Sequence, residues 1–300
     1  VIMLAGRFLA RNVAAGRPRA ATEASVPAIV YGAGNAGHQV SQLMRQAEEP
    51  PYRIVGFLDD DKGKSRLRIH GLGVRGRGKD LAEVAVAARK WAQLNPKAYR
   101  REDTSIEEVM ASRMIADPLR QRDCCLVTDA GGAFIVTSAA RARSLKRPPV
   151  YVMGIAESFS HHYTPFNTAD WLDTNVAQTA DAALGMAGVT RADIDVVQIY
   201  DHFTIGVIQA LEELGFCKRG EGGAFVADGR LAPGGDFPIN TSGGGLSYNH
   251  PGQFGMLLLL EAVHQLRKEC GERQLPKAEL ALVHAPGLVF SCNTTLILGV

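Results

Sequence analysis

No two of the five cysteines in this 300-residue chain stand at CxxC spacing, so neither a zinc site nor a thioredoxin-type redox pair has a basis in the sequence. The thiols (Cys124, Cys125, Cys217, Cys270 and Cys292) are odd in number, and no secretory-signal pattern is read. The expectation is reduced cysteines in a cytoplasmic setting. Long apolar runs are missing too: none approaches the roughly 20 residues that cross a bilayer. So is an excess of one charge. The 33 Lys and Arg against 31 Asp and Glu leave a net +2, which gives no reason to expect nucleic acid as a partner. The adjacent His161-His162 invites a metal reading, but neighbours on a strand point opposite ways, so a solvated role is favoured and no metal is expected. What remains, 46% hydrophobic and 21% charged residues, is ordinary globular composition with room for one large or two modest domains.

Glycine is plentiful, and one run is especially informative: Asn240 to Gly255, NTSGGGLSYNHPGQFG. Gly243 to Gly245 allow a tight turn and close approach to a ligand. Ser247, Tyr248, Asn249 and His250 follow, Pro251 stiffens the exit, and the apolar run from Phe254 to Leu260 begins a helix. A glycine turn that displays proton-handling groups at a helix start reads as a catalytic loop, or else as a surface turn whose histidine caps a neighbour. Upstream, periodicity predicts a helix over Leu81–Ala92, a helix capped by Ser105 with Glu108, and two strands around a Gly131-Gly132 turn within Cys124–Thr137. Further on it predicts a strand over Val150–Ile155, a helix over Asn175–Met186 and a strand over Asp193–Ile199. That strand runs into Tyr200-Asp201-His202-Phe203-Thr204 before a helix to Leu214. Strands over Leu280–His284 and Val289–Leu298 close the chain. Cys124 and Cys125 lie in an apolar strand pattern and read as inert, leaving Cys292 as the runner-up for a functional thiol.

Near the amino terminus, the apolar run Val26–Tyr31 is followed by Gly32-Ala-Gly34-Asn-Ala-Gly37, a helix over His38–Met44, a strand over Ile54–Leu58 and Asp59-Asp60-Asp61. This is the order of a dinucleotide fingerprint, in which glycines admit a pyrophosphate to a helix N-terminus and an acid holds the ribose. Gly32, Gly34, Gly37 and Asp59 are therefore candidates for binding NAD or a nucleotide, set against a lone βαβ unit with no ligand. Residues 63–80 read as loop and linker. From YGAGNAG through YRIVGFLDDD to RIHGLGVRG the chain resembles the amino-terminal nucleotide-fold module of polysaccharide-biosynthesis nucleoside-diphosphate-sugar epimerases. Val1–Arg19, with four arginines and no acid, reads as a solvated leader or the remnant of something upstream.

The glycine run carries a second resemblance. Gly244-Gly245…Asn249-His250-Pro251-Gly252 is similar to the Gly-Gly…Gly-His-Pro-x-Gly segment of the thiolase superfamily, with Asn249 in place of a glycine. The likeness covers about residues 81–300 and includes the Asp129-Ala-Gly131-Gly132-Ala stretch and the YDHF at the strand-to-helix junction. It implies an acyl-CoA thioester as substrate, His250 as catalytic histidine, and Gly244, Gly245, Asn249 and His202 at the substrate. A homodimer and a small partner protein that delivers the acyl-CoA are implied as well. Tyr200 stands where the family keeps a polar side chain that holds a catalytic water. With Tyr248 it resembles the sterol-carrier branch, which includes retro-aldolases with two catalytic tyrosines. A phenol titrates near 10, so neighbours such as Asp201, His202 or His250 must lower it or share its proton. Ala285 falls at the family's second cysteine, and the half that bears the nucleophilic cysteine has no counterpart, so an acyl-enzyme route lacks its nucleophile.

Together these readings predict an α/β chain with a leader over 1–25, a small Rossmann-like βαβ module over 26–80 and an incomplete thiolase-like αβαβα fold over 81–300. Within the last, a loop region is expected at about 95–120 and the carboxyl-terminal half at about 150–300, with a join near Asp80. The expected function is carbon–carbon bond making or cleaving on an acyl-CoA, with Tyr200, Tyr248 and His250 facing one cleft. The alternatives are a fused or truncated protein that turns nothing over, and a nucleotide-sugar or NAD-binding protein.

Overall fold

The structure, a computed structural model, describes residues 2–4, 26–46, 52–64, 67–159, 174–287 and 291–300. Most of the expected leader and the His161-His162 pair lie outside the described residues.

The amino-terminal elements are β1 (Ile2–Leu4), β2 (Val26–Tyr31), α1 (Asn35–Gln46), β3 (Tyr52–Leu58), β4 (Arg68–Ile69) and β5 (Leu72–Gly76). They form one sheet in the order β1-β2-β3-β5-β4, with β2 and β3 parallel and Tyr31 opposite Leu58. α1 buries Gly37, Val40, Ser41 and Met44, one helical face, and its apolar members meet Val30, Phe57 and Ile69. Gly37 is required there, because any side chain would run into the Gly32 carbonyl. The segment expected as linker instead contains the β4–β5 hairpin. His70 and Gly71, at φ 52° and 84°, supply the left-handed turn that joins two antiparallel strands.

α2 (Gly78–Gln93) follows almost at once. Asp80 starts it, accepting the Arg77 N–H at 2.7 Å and Arg77 Nε at 2.9 Å. Leu81, Val84, Ala85, Ala88, Trp91 and Ala92 are buried on nearly every side of it, as expected of a helix running through a core. The helix passes without a break through Asp80, where a join was expected. α3 (Ile106–Ala111) begins with the predicted capping box: Glu108 N–H donates to Ser105 Oγ at 3.2 Å and Ser105 N–H to the Glu108 carboxylate at 3.4 Å. After it, β6 (Met114–Ala116) turns back to pair with β7 (Leu119–Arg120).

The two strands expected within Cys124–Thr137 do not form. Cys124 makes one isolated bridge to Phe203, and no strand among the described residues runs beside the rest. The alternating pattern is real, but with no neighbouring strand Val127 and Ile135 stay in solvent, 97% and 92% exposed, while Leu126 is buried. A short helix, α4 (Ala139–Ala142), follows.

The remaining elements are β8 (Tyr151–Phe159), α5 (Val176–Ala187), β9 (Val196–Ile199), α6 (Thr204–Glu213), α7 (Gly222–Val226), α8 (Gly255–Leu266), β10 (Leu280–Gly287) and β11 (Cys292–Gly299). Their sheet has the order β8-β11-β10-β9, antiparallel except for the parallel β9–β10 pair at its end. Alternation assigns its two faces. Val197, Ile199, Leu282 and Ile297 pack with α5, α6 and part of α2, while Val196, Ala281, Val283 and Leu298 pack with α8 and Trp91. The result is a helix–sheet–helix sandwich with β9 buried on both faces.

Candidate active site

The site grows from the carboxyl end of β9. Tyr200 N–H donates to the His284 carbonyl at 3.0 Å, continuing the ladder by one residue, and the chain then leaves the sheet through Asp201 and His202 into α6. The glycine run docks beside it. The Asn240 amide both donates to the Ile199 carbonyl and accepts the Ile199 N–H, each at 2.8 Å, in the manner of a strand. Gly243, at φ 99°, then lies on Ala92 of α2, and Gly244, at φ 62°, opens a single π-helical turn that ends at Tyr248.

That turn wraps the Asp201 carboxylate. Gly245 N–H donates to Oδ1 at 2.7 Å and Leu246 N–H to Oδ2 at 3.2 Å. A side chain at Gly244 would run into the same carboxylate, and one at Gly245 would lie 2.9 Å from the His250 ring and 3.1 Å from Asp201 Oδ1. The N–H groups of Gly244 and Gly245, expected at the substrate, are thus donated within the protein, that of Gly244 to Ser242 Oγ at 3.3 Å. Asp201 is fully buried, and burial pushes its carboxyl up to about 7 against the pull of the two N–H groups.

Four rings meet at this point. The Tyr200 ring lies 5.4 Å from that of His250, 5.6 Å from His202 and 5.8 Å from Phe254, all edge-on. Tyr200 Oη donates to the Gly252 carbonyl at 3.1 Å and accepts the Phe254 N–H at 3.2 Å. Burial raises the Tyr200 phenol and lowers both imidazoles, His202 to about 4 with His250 as a second cause, so at neutral pH the histidines are uncharged and the phenol keeps its proton. The neighbours therefore do not lower Tyr200, contrary to expectation. His250 Nε2 is sealed from solvent with no hydrogen-bond partner among the described residues.

Tyr248 takes no part in this ring cluster. Burial raises its phenol, and the charges that act on it are Glu261 and Arg273. The structure brings Tyr200, His202 and His250 together and leaves the second phenol apart. Asn249, expected at the substrate, has its side-chain carbonyl on Thr128 Oγ1 at 2.8 Å, and the same hydroxyl accepts the His250 N–H at 2.8 Å. The unpaired stretch after Cys124 is thereby a clip. Cys125 N–H donates to the His202 carbonyl and Leu126 N–H to the Gly245 carbonyl, each at 2.9 Å. Nothing in the sequence marked Thr128 for this part. Asp201 was read from the sequence as a neighbour for the Tyr200 phenol, and its hold on the glycine turn was not.

No thiol is poised as a nucleophile. Burial, then the Asp201 charge, pushes Cys125 up to about 11, and Cys292 is a strand residue raised by burial and by Glu157. Ala285 faces the start of α8, with a methyl where the resemblance placed a cysteine. Among the described residues no three His, Cys, Asp or Glu side chains form a metal cluster, and no helix is long and apolar enough to cross a membrane.

The glycine loop after β2 is closed by its own acid. Asp59 accepts the Ala33 N–H at 2.7 Å, Lys64 Nζ at 3.0 Å and the Asp61 N–H at 2.9 Å. Burial opposes its charge, yet these donors hold it below the usual carboxylate range. The acid expected on a ribose is therefore occupied in bracing the Gly32–Gly37 loop, and the comparisons below support no nucleotide there.

Residues 157–300 match the family described as Thiolase C-terminal domain-like. The chain is 42% identical over 213 residues to a 17-hydroxy-3-oxo-4-pregnene-20-carboxyl-CoA lyase of Mycobacterium tuberculosis, covering 68% of this chain and 53% of that protein. It is 36% identical over 254 residues to a steroid side-chain-cleaving aldolase of Thermomonospora curvata, covering 79% and 62%. Among solved structures it is similar to an Ltp2-ChsH2(DUF35) aldolase, with a TM-score of 0.67 and 36% identity over 74% of this chain and 58% of that one. The chain thus spans 53–62% of the length of the two curated relatives. By these likenesses the chain is similar to proteins of the thiolase superfamily, and the match to the family model lies in residues 157–300.

Proposed function

We propose that this protein acts on an acyl-CoA thioester and makes or cleaves a carbon–carbon bond by acid–base catalysis. The observation that carries this reading is the meeting of Tyr200 and His250, rings 5.4 Å apart, with His250 Nε2 buried and unpartnered. In the cleavage direction, the neutral imidazole takes the proton of a β-hydroxyl. The Cα–Cβ bond breaks as the new carbonyl forms, and its electron pair enters the thioester enolate. Tyr200 returns a proton to Cα, leaving a ketone and a shorter acyl-CoA. Burial shifts the two groups in the directions these roles need, toward an uncharged base and a protonated acid. No cysteine is called on.

The substrate class is supported by the names of the relatives, a carboxyl-CoA lyase and a side-chain-cleaving aldolase. In this reading His202 and Asn249 border the substrate, Gly244 and Gly245 shape the turn beneath it, and Tyr248 supports the wall. A small acyl-CoA-delivering partner, pairing of two copies and a cytoplasmic setting belong to the same proposal, the first supported by the solved relative named as an Ltp2-ChsH2(DUF35) aldolase. The amino-terminal unit enters as a Rossmann-like scaffold with no nucleotide role, since Asp59 is spent on its own loop.

The test is direct. A tertiary β-hydroxyacyl-CoA is incubated with the protein, and the ketone and acyl-CoA products are quantified by mass spectrometry. Tyr200→Phe and His250→Ala should each lower turnover by about 10²- to 10⁴-fold. The reading fails if CoA thioesters neither raise the melting temperature nor react, or if both variants keep the full rate.

A further inference from the structure

We propose that Asp201 is a positioning residue: its carboxylate clamps the glycine turn to the end of β9 through the Gly245 and Leu246 N–H groups, and so sets the spacing between the Tyr200 and His250 rings. Tyr200 precedes Asp201 on the strand end, while His250 lies on the far limb of the turn. Gly245 is sandwiched between the two: a Cβ there would stand 3.1 Å from Asp201 Oδ1 and 2.9 Å from His250 Cδ2. Displacement of the turn is therefore passed by direct contact to the imidazole.

The chemistry of the pair of donors explains why an acid stands here. Two successive N–H groups reach two different oxygens of one side chain, at 2.7 Å and 3.2 Å. Only a carboxylate offers two acceptors in a fork of this size. The amide of an asparagine would turn an NH₂ against one donor. A buried acid whose hydrogen-bond donors are neutral is expensive to keep, and a purely structural wall would be cheaper if apolar. Other links join the same segments: the Asn240 amide on Ile199, Thr128 Oγ1 on the His250 N–H, Tyr200 Oη on Gly252 and Phe254, and Cys125 and Leu126 through a third segment.

The inference rests on the proposed function for its kinetic arm only. Asp201→Asn is compared with the native chain by histidine-labelled NMR, by amide exchange and by turnover of the β-hydroxyacyl-CoA. In a folded variant the His250 ring resonances, assigned through His250→Gln, should move, and the Gly245 and Leu246 amides should exchange at least about tenfold faster. Turnover should drop about tenfold or more with KM within about threefold, the signature of misplaced groups rather than lost binding. Unmoved His250 resonances and unchanged exchange in a folded variant overturn the proposal. If Asp201→Asn does not fold, exchange in the native chain decides. Protection of both amides by at least about a hundredfold upholds the clamp, and exchange at the free-peptide rate overturns it. The NMR and exchange readouts need no substrate, so a chain that leaves acyl-CoA untouched would sink the proposed function without deciding this one.

Discussion

Replacing Arg273 by methionine should be among the most damaging surface-distant changes in the carboxyl-terminal half. Its guanidinium grips Glu261 of α8 by both arms, Nε to Oε1 at 3.0 Å and Nη2 to Oε2 at 3.1 Å. The Glu261 side chain is only 4% exposed and that of Arg273 14%. Thr241 Oγ1 also donates to Oε1, at 2.6 Å, and Gln265 ties Thr241 to the same group. Arg273→Met removes both charged donors and leaves a sealed carboxylate with the Thr241 hydroxyl and the Cys270 thiol, whose Sγ lies 3.7 Å from Oε1, which costs about 3–5 kcal/mol. Glu261→Gln, by contrast, removes the buried charge, so the double variant should cost less than the sum of the singles by at least about 1 kcal/mol. Urea unfolding of the native chain, both single variants and the double variant forms the cycle. A loss below about 1 kcal/mol for Arg273→Met, or additivity within about 0.5 kcal/mol, would refute the view that this pair is a desolvated, mutually dependent unit.

Three further outcomes follow from the same geometry. Asp201 has a native carboxyl near 7 against about 3.9 unfolded, so the native state holds an extra proton between those values; its stabilising contribution is full below about pH 4 and is lost as pH rises toward 7. His202 and His284, both pushed down to about 4 by burial, slope the opposite way, losing stability as pH falls from about 6.5; the difference between native and Asp201→Asn urea midpoints across pH 4.5–8 isolates the acid, and a flat difference refutes its shift. Gly244→Ala should cost roughly 2 kcal/mol or more, since φ is 62° and its Cβ meets Asp201, whereas Gly252→Ala, at φ 82° in open space, should cost about 1 kcal/mol; equal urea midpoints would contradict the wrapped-carboxylate picture. Cys125, held up to about 11, should be alkylated at pH 7.5 by iodoacetamide at least about a hundredfold more slowly than a free thiol, and mass spectrometry showing free-thiol rates would return it to consideration as a nucleophile.

Local signals were legible where the physics is local. Ser105 and Glu108 announce their helix because both partners of the cap lie three residues apart. The glycine run and the strand ending at Tyr200 were readable from spacing and composition, as was the approach of Tyr200 to His250 through the thiolase likeness. Features set by a distant neighbour were not. The stretch after Cys124 has the alternation of a strand, but pairing needs a second strand that the described residues do not supply. Tyr248 and His250 are two residues apart, yet the π-helical turn sends the phenol toward Glu261 and Arg273, a direction no periodicity encodes. Asp59 matched a nucleotide fingerprint, and its carboxylate turned out to brace the loop, because the pattern is silent on which N–H groups lie within reach.

One consequence of α2 bears on any attempt to divide the chain. Its first turn opens beside the amino-terminal sheet, where Lys79 N–H reaches Asp60 at 3.2 Å, and its last turns lie under the glycine run, with Arg89 Nε on Ser247 Oγ at 3.0 Å. A cut at Asp80 would not loosen a tether. It would saw through a shared axle, stripping the helix of the bracket that starts it while the far end still supports the glycine turn. Dissection into independently folding pieces should therefore spare everything from Val26 to Gln93.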